Sequence, residues 1–318
     1  MALSVQRMST PASLPFRYDY LAPQALVGHV VAERYLIRRL AKRGSVGSVF
    51  EALDTRENRP VAIKVISISA LTRRTGQHIA DIVEQFETAA AHSRRLESEF
   101  TVPITDFGRT TSFLFIVVDL VPGINLKDLL AREGRLDPLR AMRFAMHAAA
   151  SLEESHNQGW YHGDLRPSNI FIARDAQGSE MARVLDHGTA RLQAVPLPIQ
   201  LTASGRAAGL PDYMSPEQCR GGEFDRRTDF YSLGIVLYEM LSGTVPYRGR
   251  SQLWVMQQHI TSPPPFIGEV SPRLARVSHL VAVLDTCLAK APELRPAHAR
   301  KLVTLLDLAV AEYLQTRG

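Results

Sequence analysis

A lysine inside an apolar, β-branched run has no packing reason to be there. Lysine is scarce in this chain, five residues of 318, yet Lys64 sits within PVAIKVI at 60–66. Such a run reads as a strand, and one charge carried on it calls for an anion to receive it. Upstream, AKRGSVGSVF places Gly44 and Gly47 between two apolar segments and just before Val49. Glycines at a strand turn let backbone N–H groups approach phosphate oxygens, and a lysine on the next strand can reach the same phosphates. Glycine turns alone are ordinary, so the signal rests on the pairing. Further on, YHGDLRPSNI at 161–170 and VLDHG at 184–188 put Asp164, Asn169 and Asp186 at loop ends after helix-to-strand transitions. Acid and amide groups so placed can hold divalent magnesium and orient a hydroxyl.

These residues need elements to position them. Residues 30–40 read as an apolar segment entering the glycine turn, and 54–59 makes the turn into the Lys64 strand. From 77 to 96, Ile79, Ile82, Phe86, Ala89 and Ala90 recur at helical intervals. Ile104 and residues 113–118 supply two more strands, with 106–111 as their turn. The sum is a small, mostly antiparallel sheet with one helix. Beyond VDLVPG at 118–123 the pattern becomes helical, and Pro138 stands where a helix over 139–158 starts. Short strands over 169–173 and 181–185 flank a hairpin turn at 175–179. The polar stretch 189–222 has little periodicity and reads as a long functional loop. Helices follow at 227–241, 251–259, 272–289 and 297–313. There is no fixed repeat or low-complexity tract, which argues against a solenoid.

In their order and spacing the motifs resemble the eukaryotic-like serine/threonine protein kinases common in bacteria, over roughly residues 35–306. AGLPDYMSPEQ at 208–218 is similar to the end of an activation segment. DRRTDFYSLG at 225–234 looks like the start of a large lobe's central helix, and CLAKAPELRP at 287–296 like a late helix-to-loop element. The resemblance implies an α+β, bilobal protein kinase-like fold. A flexible arm would cover 1–30, a small antiparallel-sheet lobe about 31–118, a hinge about 119–123 and a larger, mostly helical lobe about 124–318. It also implies ATP and Mg2+, with Mn2+ as an alternative metal, in a cleft between the lobes, and transfer of the γ-phosphoryl group to Ser/Thr hydroxyls of proteins.

By the same resemblance Lys64 contacts the α- and β-phosphates, Asp164 takes the substrate hydroxyl, and Asn169 and Asp186 hold the metal. Arg166 stands where this branch carries a lysine that neutralises the γ-phosphate. Lys42, Gly44, Gly47 and Val49 belong to the phosphate-covering turn. Ala62 lies above the adenine and Phe171 beneath it, Asp119 and Val121 offer hinge backbone groups to its edge, and Val118 guards the back of the pocket. Glu217 and Arg295 resemble a buried ion pair that fastens the activation segment, and Asp229 a brace for the catalytic loop.

Four positions depart from the family pattern. Lys42 replaces the first glycine of the turn, and Ala89 falls where the helix normally supplies a Glu to latch Lys64, with Glu84 and Glu87 on other helix faces. Gly163 replaces the Arg that meets a phosphorylated activation loop, and His187 replaces the middle Phe of the metal motif. Thr189, Thr202 and Ser204 are candidate phosphate acceptors in that loop. Two readings follow: an active kinase, or a weak or inactive pseudokinase acting as a nucleotide-responsive or protein-interaction module. The partner expected is a protein substrate or a regulated protein, and a homodimer is compatible with either.

Composition bounds the rest. The formal charge of +5 is scattered and argues against a nucleic-acid partner. Cys219 and Cys287 lack metal-ligand spacing and make no disulfide framework, so a reducing, cytoplasmic setting is expected. The apolar runs at 113–118 and 302–310 fall short of the roughly 20 residues that span a bilayer, so no membrane segment is expected.

Overall fold

The computed structural model describes residues 21–44, 46–175, 177–187 and 211–316. Residues 1–20 of the expected arm, Gly188, Thr189, Thr202 and Ser204 lie outside the described residues. The chain divides into two compact units, Met1–Arg95 with Pro103–Leu120, and Leu96–Val102 with Val121–Gly318.

The smaller unit is built on a six-stranded sheet. Its strands are β1 (Val30–Val31), β2 (Tyr35–Arg43), β3 (Gly47–Asp54), β4 (Arg59–Ser67), β5 (Ile104–Arg109) and β6 (Phe113–Asp119), in the order β1-β2-β3-β4-β6-β5. Every pairing is antiparallel. Alternation decides the faces: Val61, Ile63 and Val65 are fully buried, whereas Ala62 and Lys64 between them stay half-exposed. Each buried Val or Ile contributes about 1.5–3 kcal/mol, so a one-residue slip of β4 would cost several such terms. The Asp54 carboxylate, paired with Arg34 at 2.6 Å, accepts from the Arg56 and Glu57 N–H groups and ties down the turn read at 54–59.

Three readings of this unit are corrected. Ordered structure precedes Val30, because a helical turn at Pro23–Leu26 drives Leu26 into the sheet's apolar core. The turn read at 106–111 is shorter: β5 continues to Arg109, and the Thr110 hydroxyl accepts from Ser112 and Phe113 N–H to close a tighter bend. The segment before the predicted helix holds a helix of its own, α1 (Ile68–Thr75), capped by Ser67 and ended by Gly76 at φ 70°; α2 (Ile79–Ser93) follows.

The larger unit is mostly helical. It comprises α3 (Leu126–Glu133), α4 (Pro138–Asn157), α5 (Pro216–Arg220), α6 (Arg227–Ser242), α7 (Gln252–Thr261), α8 (Ile267–Val270), α9 (Ser278–Cys287) and α10 (Ala299–Gln315). A small sheet accompanies them, β7 (Gly123–Asn125), β8 (Ile170–Arg174) and β9 (Glu180–Val184), in that spatial order. Asp137 caps α4 with Pro138 in its first turn, as the sequence predicts. Helix α6 is buried nearly all round, from Thr228 to Leu241, which makes it the central element against which α4 and α9 pack. The helix read over 272–289 is shorter: it starts at Ser278, where Glu312 of α10 accepts from the Ser278 hydroxyl and the His279 N–H. That cap comes from a distant helix, so no local signal marked it.

The stretch Leu96–Val102 joins the larger unit through named bonds. Glu154 of α4 accepts from the Glu97 and Ser98 N–H groups at 2.7 and 2.9 Å, and Val102 N–H donates to Val184 at 2.9 Å.

Candidate active site

In the smaller unit, strand register gathers the candidate nucleotide residues on one sheet face. Val49 lies opposite Lys64, Lys42 opposite Val49, and Ala62 opposite Val118. Residues directly opposed across antiparallel strands share a face, so Lys42, Val49, Ala62, Lys64 and Val118 all stand on the face turned away from the buried Val61–Ile63–Val65 row. At the turn, Gly44 N–H donates to Gly47 O at 2.8 Å, closing the loop between β2 and β3. A Cβ on Gly47 would lie 2.0 Å from the Val65 carbonyl oxygen, so only glycine permits β3 and β4 to approach there. Lys42 is exposed on β2 beside an irregular register step.

Ala89 is 1% exposed inside α2 and contributes no charge. Neither nearby glutamate faces the same way: Glu84 is exposed, and Glu87 lies 3.6 Å from Arg109 of β5. Asp119, at the end of β6 and opposite Val61 of β4, spends its carboxylate on Arg59.

In the larger unit, the residues of 156–170 are fixed by a buried carboxylate. Asp229 is fully buried; its Oδ2 accepts from His162 N–H at 2.8 Å and His156 Nε2 at 2.7 Å, and its Oδ1 accepts from Gly163 N–H at 2.7 Å. Gly163 has φ 74°, a left-handed conformation that glycine adopts freely and that costs a side-chain-bearing residue about 1 kcal/mol. Glycine here removes a basic side chain and relaxes the backbone at once. The Gln218 side chain of α5 donates to Gly163 O at 2.8 Å, tying α5 to the same loop.

Asp164 and Asn169 come together directly: Asn169 Nδ2 donates to Asp164 O at 2.9 Å and lies 3.4 Å from its Oδ2. Arg166 Nε stands 3.3 Å from Asp164 Oδ2, so the guanidinium expected at a γ-phosphate accompanies the carboxylate itself. Leu185 N–H donates to Asn169 O at 2.9 Å, which sets Asp186 immediately beside this loop, with φ 65°. A non-glycine residue in that region stores strain of roughly 1–3 kcal/mol, a cost met at sites that must aim a group.

The donors fit a hard cation. With Nδ2 of Asn169 committed to Asp164, its Oδ1, which accepts from the Ser168 hydroxyl at 3.4 Å, is the side-chain atom of a type that ligates a hard cation, and Asp186 is the neighbouring carboxylate residue. Among the described residues no cluster of three or more His, Cys, Asp or Glu forms a cage for a metal ion. One amide and one carboxylate suit Mg2+, which draws its remaining oxygens from phosphates and water.

His187 is 1% exposed, and its Nε2 meets the Ser151 hydroxyl at 2.8 Å, itself 2.7 Å from the Thr101 hydroxyl. The ring also packs edge-on against His162 at 5.2 Å between centroids. The imidazole therefore replaces an apolar ring with a hydrogen-bonded one. Ser151, Thr101, His156 and Gln218 escaped the sequence reading, since each acts by a long-range bond that no local pattern encodes.

Two other expectations concern the wider frame. Phe171 lies on β8 opposite Arg183, with its ring beside Gly123 of β7, where a Cβ would come within 2.8 Å of it. Val121 is half-exposed at the start of the larger unit. Arg295 and Glu217 form the expected pair at 2.6 and 2.8 Å, and Thr228 donates to the same carboxylate at 2.6 Å.

Comparison with known proteins gives this geometry a context. A family model described as protein kinase domain matches residues 38–305. The chain is 32% identical over 277 residues to serine/threonine-protein kinase pkn3 of Myxococcus xanthus, covering 86% of this chain and 49% of that protein. It is 35% identical over 283 residues to serine/threonine-protein kinase PknD of Mycobacterium tuberculosis, covering 88% of this chain and 39% of that protein. The chain thus spans half or less of the length of these curated relatives. Among solved structures, the PknI kinase domain of Mycobacterium tuberculosis superposes with a TM-score of 0.70 at 21% identity, over 90% of this chain and 99% of that one, a likeness of fold.

Proposed function

The chain belongs to the protein kinase family, and on that footing we propose that it transfers the γ-phosphoryl group of ATP to Ser or Thr hydroxyls of proteins. The observation that carries this reading is the Asp164–Asn169 pair, held by backbone and side chain and braced by fully buried Asp229. A scaffold has no electrostatic need for a carboxylate, an amide and a strained second carboxylate in one loop cluster.

In this reading Lys64 and the N–H groups near Gly44 and Gly47 engage the phosphates, while Ala62, Val118 and Phe171 flank the base and Asp119 and Val121 present backbone groups to its edge. Asp164 accepts the hydroxyl proton as the acceptor oxygen bonds to the γ-phosphorus and the bond to the β-phosphate oxygen breaks, releasing ADP. Arg166, already beside Asp164, balances charge on the transferring group. Asn169 and Asp186 would hold Mg2+, which would supply the remaining phosphate neutralisation.

A second reading is favoured by one observation: α2 offers buried Ala89 where a latch for Lys64 belongs, and Glu87 faces Arg109. A domain without that latch serves as a nucleotide-responsive partner-binding module. Radiolabelled ATP with Mg2+ or Mn2+ and general acceptor proteins separates the two, using Asp164→Asn and Lys64→Met as controls. Label above both controls supports transfer. Label equal to both, with metal-dependent nucleotide binding retained, supports the second reading.

A further inference from the structure

Asp186 holds φ at 65°, a left-handed conformation in a residue that carries a side chain. Such strain persists only where the surrounding structure over-determines the backbone. On the N-terminal side of Asp186, Leu185 is fixed twice: its N–H donates to Asn169 O at 2.9 Å, and its carbonyl accepts from His162 Nε2 at 2.8 Å. A carbonyl only accepts, so Nε2 carries the proton and His162 Nδ1 is the acceptor for Asp164 N–H at 3.2 Å. One ring thus ties the backbone of Asp164 to that of Leu185.

On the C-terminal side a side chain does the holding. The buried His187 ring meets the Ser151 hydroxyl of α4 through Nε2 at 2.8 Å, and that hydroxyl lies 2.7 Å from the Thr101 hydroxyl. Thr101 is itself fastened to the same segment: it bridges Val184 in parallel register, Val184 N–H donates to Phe100 O at 2.8 Å, and Val102 N–H donates to Val184 O at 2.9 Å. Thr101, Ser151 and His187 therefore form a buried polar chain that starts and ends on the segment carrying Asp186. Every member belongs to the larger unit. A fully buried serine inside a helix carries a desolvation cost that alanine would avoid, and these two bonds offset it. A hydrocarbon ring beside Asp186 would be held by shape alone. An imidazole bonded to a helix hydroxyl is held by direction as well, because swinging it away takes a buried nitrogen from its partner.

We propose that Ser151 is a positioning residue for the divalent cation: by anchoring His187 it keeps Asp186 in the strained backbone conformation from which its carboxylate serves the metal. The inference rests on the reading that gives Asp186 to the metal, and it names what holds that residue. Ser151 touches neither cation nor nucleotide in this scheme. Its removal takes from His187 Nε2 and Thr101 Oγ1 the hydroxyl they share, and Asp186 then has one firm neighbour, Leu185, in place of two.

The test is calorimetric binding of a non-hydrolysable ATP analogue to the full chain, first without metal and then at increasing Mn2+. Ser151→Ala should raise the metal concentration needed for half of the full effect about tenfold, as loss of an outer-shell partner does, and leave metal-free affinity unchanged. Ser155→Ala deletes another fully buried hydroxyl of α4, one that donates to Trp160 O at 3.5 Å, and should change neither value, which separates positioning from a general loosening of the helix. Adding His187→Phe to Ser151→Ala should raise the metal requirement less than His187→Phe does alone, since both changes remove the same bond. Should Ser151→Ala not fold, Thr101→Val takes its place: it removes the far hydroxyl at nearly constant volume and should shift the requirement by a smaller step in the same direction. The proposal falls if Ser151→Ala, or Thr101→Val in its place, leaves the metal requirement unchanged, if Ser155→Ala shifts it equally, or if the Ser151 and His187 effects simply add. Analogue binding that ignores metal in the unmodified chain overturns the metal assignment and this inference with it. Absence of label transfer with these shifts present overturns the transfer reaction alone and upholds the role of Ser151.

Discussion

Replacing Arg295 by Met removes a fully buried, multiply hydrogen-bonded cation of the larger unit. Its side chain is 0% exposed and its guanidinium donates to both Glu217 oxygens, at 2.6 and 2.8 Å, and to the carbonyls of Ala289, Lys290 and Arg227. Met fills the volume and leaves Glu217, itself 12% exposed, with the Thr228 hydroxyl as its side-chain partner. Two charge-assisted hydrogen bonds at about 1.5–3 kcal/mol each bound the loss from one side. Breaking a buried pair by removing one partner costs about 3–5 kcal/mol. The expected destabilisation is therefore about 3–5 kcal/mol, against a typical total of about 5–15. Urea unfolding followed by far-UV circular dichroism reads this as a lower midpoint with an unchanged slope. Arg295→Lys keeps the charge and loses the fork, and should recover part of the loss. Glu217→Gln combined with Arg295→Met should cost less than the sum of the singles by more than about 1 kcal/mol. A midpoint within about 1 kcal/mol of the unmodified chain, or strict additivity, would refute the argument that this pair is buried and coupled.

Gly47→Ala should both destabilise the small sheet and abolish nucleotide binding measured by fluorescence titration, because its Cβ would meet the Val65 carbonyl at 2.0 Å. Gly163→Ala should cost about 1 kcal/mol in thermal unfolding, since φ there is 74°. Burial, then Arg143, pushes His147 down to about 4, and burial, then Lys290, pushes His259 down to about 3. Lowered folded values mean stability present above about pH 6.5 and lost as pH falls through about 4, so the urea midpoint should drop in that window. His147→Gln should flatten part of the slope. Burial, followed by the nearby Arg295, lowers Lys290 to about 8; its amine should acylate with a midpoint near pH 8 in mass-spectrometric labelling of the native chain, and near that of an ordinary lysine after unfolding.

Much of the frame is legible in one dimension because it depends on local periodicity. Alternation in β4, helical spacing in α2 and α4, and Pro138 at a helix start all act within a few residues. The errors have separate causes. The helix expected over 272–289 begins at Ser278 because Glu312 caps it from α10, and the turn after β5 tightens because Thr110 folds its hydroxyl back on the chain. The α1 segment lacked a long enough apolar repeat to be recognised, although Ser67 and Gly76 mark its two ends.

The sequence by itself determined which chemistry-capable groups the chain holds: a lysine on a β-branched strand, a glycine turn, and acid and amide groups at two loop ends. Tertiary structure alone decided how those groups are held. Register puts Lys64, Val49 and Ala62 on one face, and Asp229 reaches back more than sixty residues to fix His162 and Gly163. The same carboxylate also holds the ring of His156, on the distant helix α4. Residue types are local facts, but the low-dielectric surroundings and long-range hydrogen bonds that give them direction exist only once distant segments have packed together.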